Sequence, residues 1–487
     1  MSTSSKPSAP SVNTNPNDQF VFGNMNPSRR TFIRSAAAFA AFPLLPAFSA
    51  RALPRFQLGP NQRLQLAKVA VGGMGESDLE ALSKHPNIDI VALCDVDGRG
   101  KEKYASQFPK AQWFTDWREM FDKLGNKFDA VSVSTPDHMH APISMSAMNM
   151  GKHVYCQKPL AHTAYENRMM ADFAKSHSKI VTQMGTQRSA MIGRRQQMEL
   201  LNAGVIGKIK SIHAWSDRPM GWWPQGQPMP KGGEKPPEWL AWDLWLGVAP
   251  TRPYVDKVYV PFMWRGTYDF GGGALGDMGC HILDNAFMAA KLGLPLSARC
   301  DCSDATEDEF PTKETITLKY AATDRTVAEG VTVMWYDDKL IPTNAALGIP
   351  DGVDIRSNAS AVIGEKGVML CPLDPEHDKD TGKVTLSDEP LVWDNNKIAM
   401  KLNLPKLPER NHWFHWVDGC FGKTTPEANF QFAGLLCESL SVGAAASHFA
   451  NRDLQYDPKN FAFTNEPKGA QFLKTKYRDG WSVKGLS

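Results

Sequence analysis

The sequence has no C-x-x-C pair among its eight cysteines and no cluster of His, Cys, Asp or Glu at metal-ligand spacing, so no metal site is expected. Charge of one sign is also missing. The 54 Lys and Arg against 52 Asp and Glu leave a net charge of +2, and nothing global points to nucleic acid or to an anionic membrane surface. Beyond the N-terminal segment there is no run of about 18 apolar residues, which argues against an internal membrane span or a stable anchor. No internal repeat is visible, so solenoid architectures are set aside. What remains is the composition of a soluble globular protein, 42% hydrophobic and 22% charged, and 487 residues give room for two domains plus tails. The cysteines at 94, 156, 280, 300, 302, 371, 420 and 437 leave disulfide pairing open, although a chain this long does not need covalent staples.

Residues 1–27 are rich in Ser, Pro and Asn without periodicity and are expected to be disordered. Ser28-Arg29-Arg30-Thr31-Phe32-Ile33-Arg34 then precedes a mildly apolar stretch over 35–48, in which Pro43 and Pro46 break a continuous helix. Paired arginines before a modest hydrophobic region resemble a twin-arginine export signal, with Ala50-Arg51-Ala52 or Ala47-Phe48-Ser49 as the cleavage site. Residues 1–52 are accordingly set apart as a leader, and the resemblance implies a periplasmic, exported protein that folds before export, often around a cofactor.

Residues 64–71 (LQLAKVAV) have the continuous apolar character of a strand buried on both faces. They run into Gly72-Gly73-Met74-Gly75 and then into a helix with apolar spacing at Leu79 and Leu82. A strand, a glycine turn and a helix N-terminus form the usual seat of a dinucleotide pyrophosphate. The pattern G-x-G-x-x-G is incomplete, because Ala70 stands where its first glycine belongs. A second strand over 88–93 places Asp95 just past its end, where a carboxylate takes a ribose 2′-hydroxyl and repels a 2′-phosphate. NAD is therefore favoured over NADP, with Arg99 the one nearby feature pointing the other way. A third strand over 128–133 ends in Ser134-Thr135-Pro136-Asp137-His138-Met139-His140, which should run beside the cofactor. The cofactor-side candidates are Gly72, Gly73, Met74, Gly75, Asp95, Ser134, Thr135, Pro136, His140, Gln157 and Lys158.

Gly151-Lys152-His153-Val154 reads as a further buried strand leading to Tyr155-Cys156-Gln157-Lys158-Pro159. Proline fixes its own φ and restricts its neighbour, so Lys158 is held on stiff backbone, in a place suited to giving or taking a proton. The order glycine turn, Asp, S-T-P-x-x-x-H, then G-K-H-V-x-x-x-K-P resembles the Gfo/Idh/MocA family, named for glucose–fructose oxidoreductase and inositol dehydrogenase. The family usually has Glu-Lys-Pro where this chain has Gln157-Lys158-Pro159; the lysine that matches its catalytic one is kept.

Further along, residues 180–184 read as the last strand of a first domain over 62–185, and 187–201 as a connecting helix. Seven tryptophans (215, 222, 223, 239, 242, 245 and 264) fall within fifty residues; most should be packing, with about two left to touch a sugar ring. Gly271-Gly272-Gly273 leads into Asp277 and His281, i and i+4 on a helix and so on one face, where the carboxylate would orient the ring and raise its basicity. The resemblance makes Asp277 the substrate-binding aspartate and His281 the catalytic histidine, with Lys158 as partner. Strands are expected over 208–216, 314–320, 326–336, 360–370 and 384–386, a long loop over 337–357, and helices over 411–421 and 430–449. The expected fold is α/β: a Rossmann domain, then an α+β domain over 186–455 with a large, mostly antiparallel open sheet, then a tail over 456–487. In the family such a sheet commonly forms a subunit interface, which implies a homo-oligomer, a dimer or tetramer.

These features describe an exported NAD-dependent oxidoreductase acting on a hydroxyl of a sugar, glycoside or polyol, with a tightly held cofactor. Two alternatives stand beside it. One is redox-neutral glycoside cleavage through a transient keto-sugar with the same NAD. The other is a cofactor-retaining binding protein without activity, for which Ala70 and Gln157 argue.

Overall fold

The computed structural model describes residues 62–487 apart from 231, 305, 374, 378–383 and 387. The leader reading for 1–52 therefore lies outside the described residues. The first domain is a six-stranded sheet built from β1 (Leu64–Val69), β2 (Ile88–Cys94), β3 (Gln112–Phe114), β4 (Ala130–Val133), β5 (His153–Cys156) and β6 (Thr182–Met184). Its spatial order is β3-β2-β1-β4-β5-β6, and every pairing is parallel. Helices cover both faces, which is why the central strands carry apolar residues on both sides: β4 and β5 are buried at every position. The order reverses between β1 and β4, and in such sheets ligands bind outside the carboxyl ends of the strands at that point. The glycine turn, residues 134–136 and Gln157-Lys158 all follow strand C-termini.

The second sheet has nine strands: β7 (Ile209–Trp215), β8 (Ser297–Asp301), β9 (Thr315–Tyr320), β10 (Val331–Tyr336), β11 (Ala359–Gly364), β12 (Gly367–Pro372), then β15 (Leu391–Asp394), β16 (Leu454–Asp457) and β17 (Ala462–Phe463). Between them β13 (Pro375–His377) and β14 (Val384–Leu386) form a separate hairpin. The nine run β15-β12-β11-β7-β10-β9-β8-β16-β17, antiparallel throughout except for the parallel pair β7 and β10. The single strand expected over 360–370 is two, because the chain turns back at Glu365-Lys366 between β11 and β12. The long loop after β10 carries a helical turn, Asn344–Leu347, and is anchored by buried Leu347 and Ile349 against Trp215.

Two helix contacts join the domains. The Ala164–Ser176 helix, opened by a Thr163–Glu166 capping box, packs on the Phe430–Ala446 helix. A Cβ on Gly434 would lie 2.6 Å from Ala171 Cβ, so the absence of a side chain lets the two helices touch. The His412–Cys420 helix lies back on the nucleotide domain, with Trp416 fully buried and its ring 5.7 Å from Tyr155. Residues 456–487 are tied into the fold as well: Tyr477 donates to Glu166 at 2.6 Å, and Leu473, Trp481 and Leu486 are buried.

Candidate active site

The glycine turn keeps its shape without the first glycine. Ala70 holds a φ of 62°, the left-handed region that costs an alanine about 1 kcal/mol. Gly73 sits at φ 55°, and Gly75 is buried where a Cβ would lie 2.2 Å from the Ala70 carbonyl oxygen. Only glycine fits there. Around Gly72 and Gly73, by contrast, a Cβ would meet nothing within 4 Å. Gly72, Gly73 and Met74 are exposed at the N-terminus of the Met74–Ser83 helix, a cradle open to an anionic group. Thr135 Oγ1, past the end of β4, is buried without a partner among the described residues, as a group waiting for a ligand would be. These features fit a dinucleotide.

Asp95 accepts N–H bonds from Val71 at 2.8 Å and Asp97 at 2.9 Å, which clamps it between the turn and the following loop; burial raises its carboxyl above the ordinary value. Arg99 is bound by Asp97 through both carboxylate oxygens and lies 3.7 Å over the Trp239 ring. Three other cofactor-side candidates use their side chains within the protein. Ser134 Oγ donates to Asp78 at 2.7 Å and accepts from Lys68 at 2.6 Å. His140 has Nδ1 2.7 Å from the Pro159 carbonyl and Nε2 2.8 Å from that of Thr135, and burial lowers its pKa to about 4. Gln157 donates from Nε2 to Asp78. These residues set the crevice wall rather than offer free groups to it, because each lies where a strand end must be tied to its neighbour. Lys68 is fully buried beneath them, and desolvation brings it down to about 8.

Lys158 and Asp277 meet. Lys158 Nζ donates to Asp277 Oδ1 and to the Asp277 carbonyl, both at 2.8 Å. The Lys158–Pro159 peptide bond is cis. Pro159 faces Gly276, where a Cβ would be 3.9 Å from the proline ring, so the Gly273–Ile282 helix lies directly on the lysine segment. Two arginines complete the contacts of this carboxylate: Arg265 Nε lies 3.3 Å from Oδ1 and Arg218 Nε 3.3 Å from Oδ2. The three cations hold Asp277 well below the ordinary carboxylate range, although burial alone would raise it.

His281 follows one turn later but does not pair with Asp277, contrary to the expectation from their spacing. Its Nδ1 is 3.2 Å from Thr186 Oγ1, and the Thr186 hydroxyl is 3.4 Å from the Cys280 carbonyl. With that hydroxyl donating to Cys280, Nδ1–H donates to Thr186 and Nε2 is left as a lone pair. His281 is driven well below its ordinary pKa by burial, and then by the charges of Lys158 and Arg188, which outweigh the opposite pull of Asp277. It is a neutral imidazole.

Four residues of this cluster escape the sequence reading: Thr186, Arg218, Arg265 and Asp137. Asp137 accepts from the Gly272 N–H at 3.1 Å and so ties the end of β4 to the glycine lead-in; desolvation pushes it up to about 7. It stands inside the S-T-P motif, and its burial beside a second domain was the missing information. The arginines carry no local signal, since Arg218 and Asp277 are joined only by the closure of the second domain. Most of the tryptophans pack, as expected. Trp215, Trp223, Trp245 and Trp264 are buried, while Trp222 is 45% exposed over Arg218.

Comparison with known proteins agrees with this architecture. Residues 66–185 match the oxidoreductase family with an NAD-binding Rossmann fold, and residues 220–339 match that family's C-terminal alpha/beta domain. The chain belongs to the Gfo/Idh/MocA oxidoreductase family. Inositol 2-dehydrogenase of Salmonella typhimurium is 28% identical over 156 residues, 31% of this chain and 45% of that protein. A glycosyl hydrolase family 109 protein of Shewanella pealeana is 28% identical over 208 residues, 38% of this chain and 45% of the relative. The chain thus spans about half the length of these curated relatives. Among solved structures, the aldose-aldose oxidoreductase of Caulobacter crescentus, complexed with glycerol, superposes with a TM-score of 0.53 at 15% identity, covering 81% of this chain and 100% of that one. That likeness extends to the fold. No helix among the described residues is long and apolar enough to cross a membrane.

Proposed function

We propose that the protein is an NAD-dependent oxidoreductase that interconverts a hydroxyl and a carbonyl on a sugar, glycoside or polyol. The observation that carries this is the placement of an ammonium and a neutral imidazole on one carboxyl-end crevice. Lys158 is held by Asp277, and His281 lies one turn along the same helix. An ammonium has three protons. Two of those on Lys158 go to Asp277, which leaves one for a substrate oxygen as charge develops there. The lone pair on His281 Nε2 accepts the hydroxyl proton, and burial keeps that ring unprotonated when substrate arrives. Gly72, Gly73, Met74, Asp95 and Thr135 would hold the dinucleotide, which when bound supplies a two-electron acceptor at its nicotinamide ring. Asp95 supports NAD over NADP.

The paired arginines at 29 and 30 support export by the twin-arginine route to the periplasm. Little free NAD is available there, so the cofactor would be carried in tightly bound and regenerated in place. The similarity to a glycosyl hydrolase family 109 protein supports a second reading. In it a transient ketone acidifies the neighbouring C–H, that proton is lost as the glycosidic group leaves as an alcohol, water adds across the double bond so formed, and the ketone is reduced back. The open sheet supports assembly as a dimer or tetramer.

The test uses protein purified without added nucleotide. Released dinucleotide is identified by mass, and its oxidation state is followed during incubation with sugars, polyols and glycosides. Retained NAD(H) that changes oxidation state with substrate supports the oxidoreductase; glycoside cleavage with no net change supports the second reading. Lys158→Ala and His281→Ala should each lower kcat by about 10²–10⁴-fold. Wild-type turnover in both variants rules the assignment out.

A further inference from the structure

We propose that the substrate carries an anionic group, a carboxylate or a phosphate ester, and that Arg218 and Arg265 hold it beside the reacting carbon. This deepens the oxidoreductase reading and rests on it for the place of the reacting carbon.

A buried carboxylate is satisfied by one cation, and Asp277 already has Lys158 at 2.8 Å. Arg218 and Arg265 are surplus to that need. The other carboxylate near Arg218 is Asp217, at 3.7 Å, so three cationic side chains face two carboxyl groups. Asp137, buried beside them, is a poor further counter-charge, because burial favours its neutral form. The cluster therefore has a positive excess in the crevice.

The hydrogen bonds of the two guanidinium groups point the same way. Arg218 donates from Nη1 to Met278 Sδ at 3.2 Å, with Nε in an ion pair with Asp277 at 3.3 Å; Arg265 donates from Nε to Asp277 at 3.3 Å and from Nη1 to the Phe262 carbonyl at 3.0 Å. The Nη2 of each makes no hydrogen bond among the described residues. Both side chains are mostly buried, 16% and 18% exposed, but neither Nη2 is among the buried unpartnered atoms, so these two amino groups are the parts left open to a ligand in the crevice. Both groups are also held flat. Arg218 lies 3.8 Å over the half-exposed Trp222 ring, and Arg265 lies 3.9 Å over Phe262. Stacked, oriented guanidinium groups with free amino edges suit the planar oxygens of a carboxylate or the oxygens of a phosphate. Trp222, exposed at the same mouth, offers a face for the sugar ring.

Binding of matched ligands to the NADH-loaded, full-length protein tests this by calorimetry, with glucose, glucuronate and glucose 6-phosphate and their galactose counterparts. A charged sugar should bind at least about tenfold tighter than its neutral parent, and Arg218→Met and Arg265→Met should each erase about tenfold of that preference. The uronate and phosphate arms decide which anion the site takes. Arg218→Lys and Arg265→Lys, which keep the charge but lose the fork, should show a partial loss and serve where a Met variant does not fold. Equal affinity for charged and neutral sugars overturns the proposal. So does a loss in the variants that is the same for both, because the arginines would then only hold Asp277. Hydride transfer is scored separately with NAD. A protein that binds the anion through these arginines yet reduces no NAD refutes the oxidoreductase reading and leaves this one standing.

Discussion

Gln157 donates from Nε2 to both oxygens of Asp78, at 2.8 and 3.0 Å, and so joins the segment of Lys158 to the helix of the glycine turn. Asp78 is fully buried and also accepts from Ser134 at 2.7 Å, Trp413 at 2.8 Å and Tyr155 at 3.4 Å. The carboxylate that the family motif has at 157 is absent, and the side chain there instead meets the buried carboxylate of Asp78. An acid at both positions would place two negative charges in one dry site.

Gln157→Glu should therefore destabilise the protein by about 3 kcal/mol, whereas Gln157→Glu combined with Asp78→Asn should recover more than half of that loss. A double-mutant cycle in chemical denaturation reads the coupling directly. Additive losses would mean that the two side chains act independently.

The glycine turn makes a second prediction. Gly75→Ala would drive a methyl group against the Ala70 carbonyl oxygen, 2.2 Å from an ideal Cβ, and must deform the turn. We expect loss of the co-purifying dinucleotide and a cost of several kcal/mol. Ala70→Gly removes the left-handed strain but loosens the unfolded chain, so stability should move by no more than about 1 kcal/mol. Thermal melting with and without NAD separates the two outcomes.

Those two positions also mark what was legible. The strand, turn and helix around Ala70 are visible in the sequence because apolar runs and glycines are local signals, and the missing glycine did not change the fold because alanine can hold φ 62° at modest cost. Lys158 was legible for the same reason, at the end of a short buried strand. Asp277 and His281 were placed on one helix face correctly, yet their pairing was not, since spacing cannot tell that Lys158, Arg218 and Arg265 would compete for the carboxylate. Thr186 was invisible as a partner of His281 because β6 and the helix are brought together only by the closure of the two domains. Boundaries such as the turn at Glu365-Lys366 were lost because two apolar strands on either side of a short polar turn read as one run.

Asp137 gives a pH-dependent prediction. Its carboxyl is near 7 in the folded protein, raised by burial, against 3.8 unfolded. The folded state thus favours the protonated form. That contribution is fully present below about pH 4 and is lost as pH rises through 7. Asp137→Asn keeps an acceptor for the Gly272 N–H without the charge, so its stability relative to wild type should increase between pH 5 and pH 8, by on the order of 2 kcal/mol. A difference that stays flat with pH would place the titration elsewhere.

The clamp on Arg99 carries a prediction about coenzyme preference. The residue that could recognise a 2′-phosphate is bound by Asp97 and stacked on Trp239, while Asp95 presents a carboxylate on the same loop. A 2′-phosphate brought to this loop would meet acidic side chains first. We expect NAD to be preferred over NADP by at least about tenfold in Kd, a difference of about 1.4 kcal/mol. Asp97→Ala should release Arg99 and narrow that ratio, and Asp95→Ala should narrow it further by removing the repulsion while also weakening the turn through the lost Val71 N–H bond. Fluorescence titration of both coenzymes against the three proteins measures the ratio. An unchanged ratio in Asp97→Ala would mean that Arg99 does not reach the ribose, and the preference would then rest on Asp95 alone.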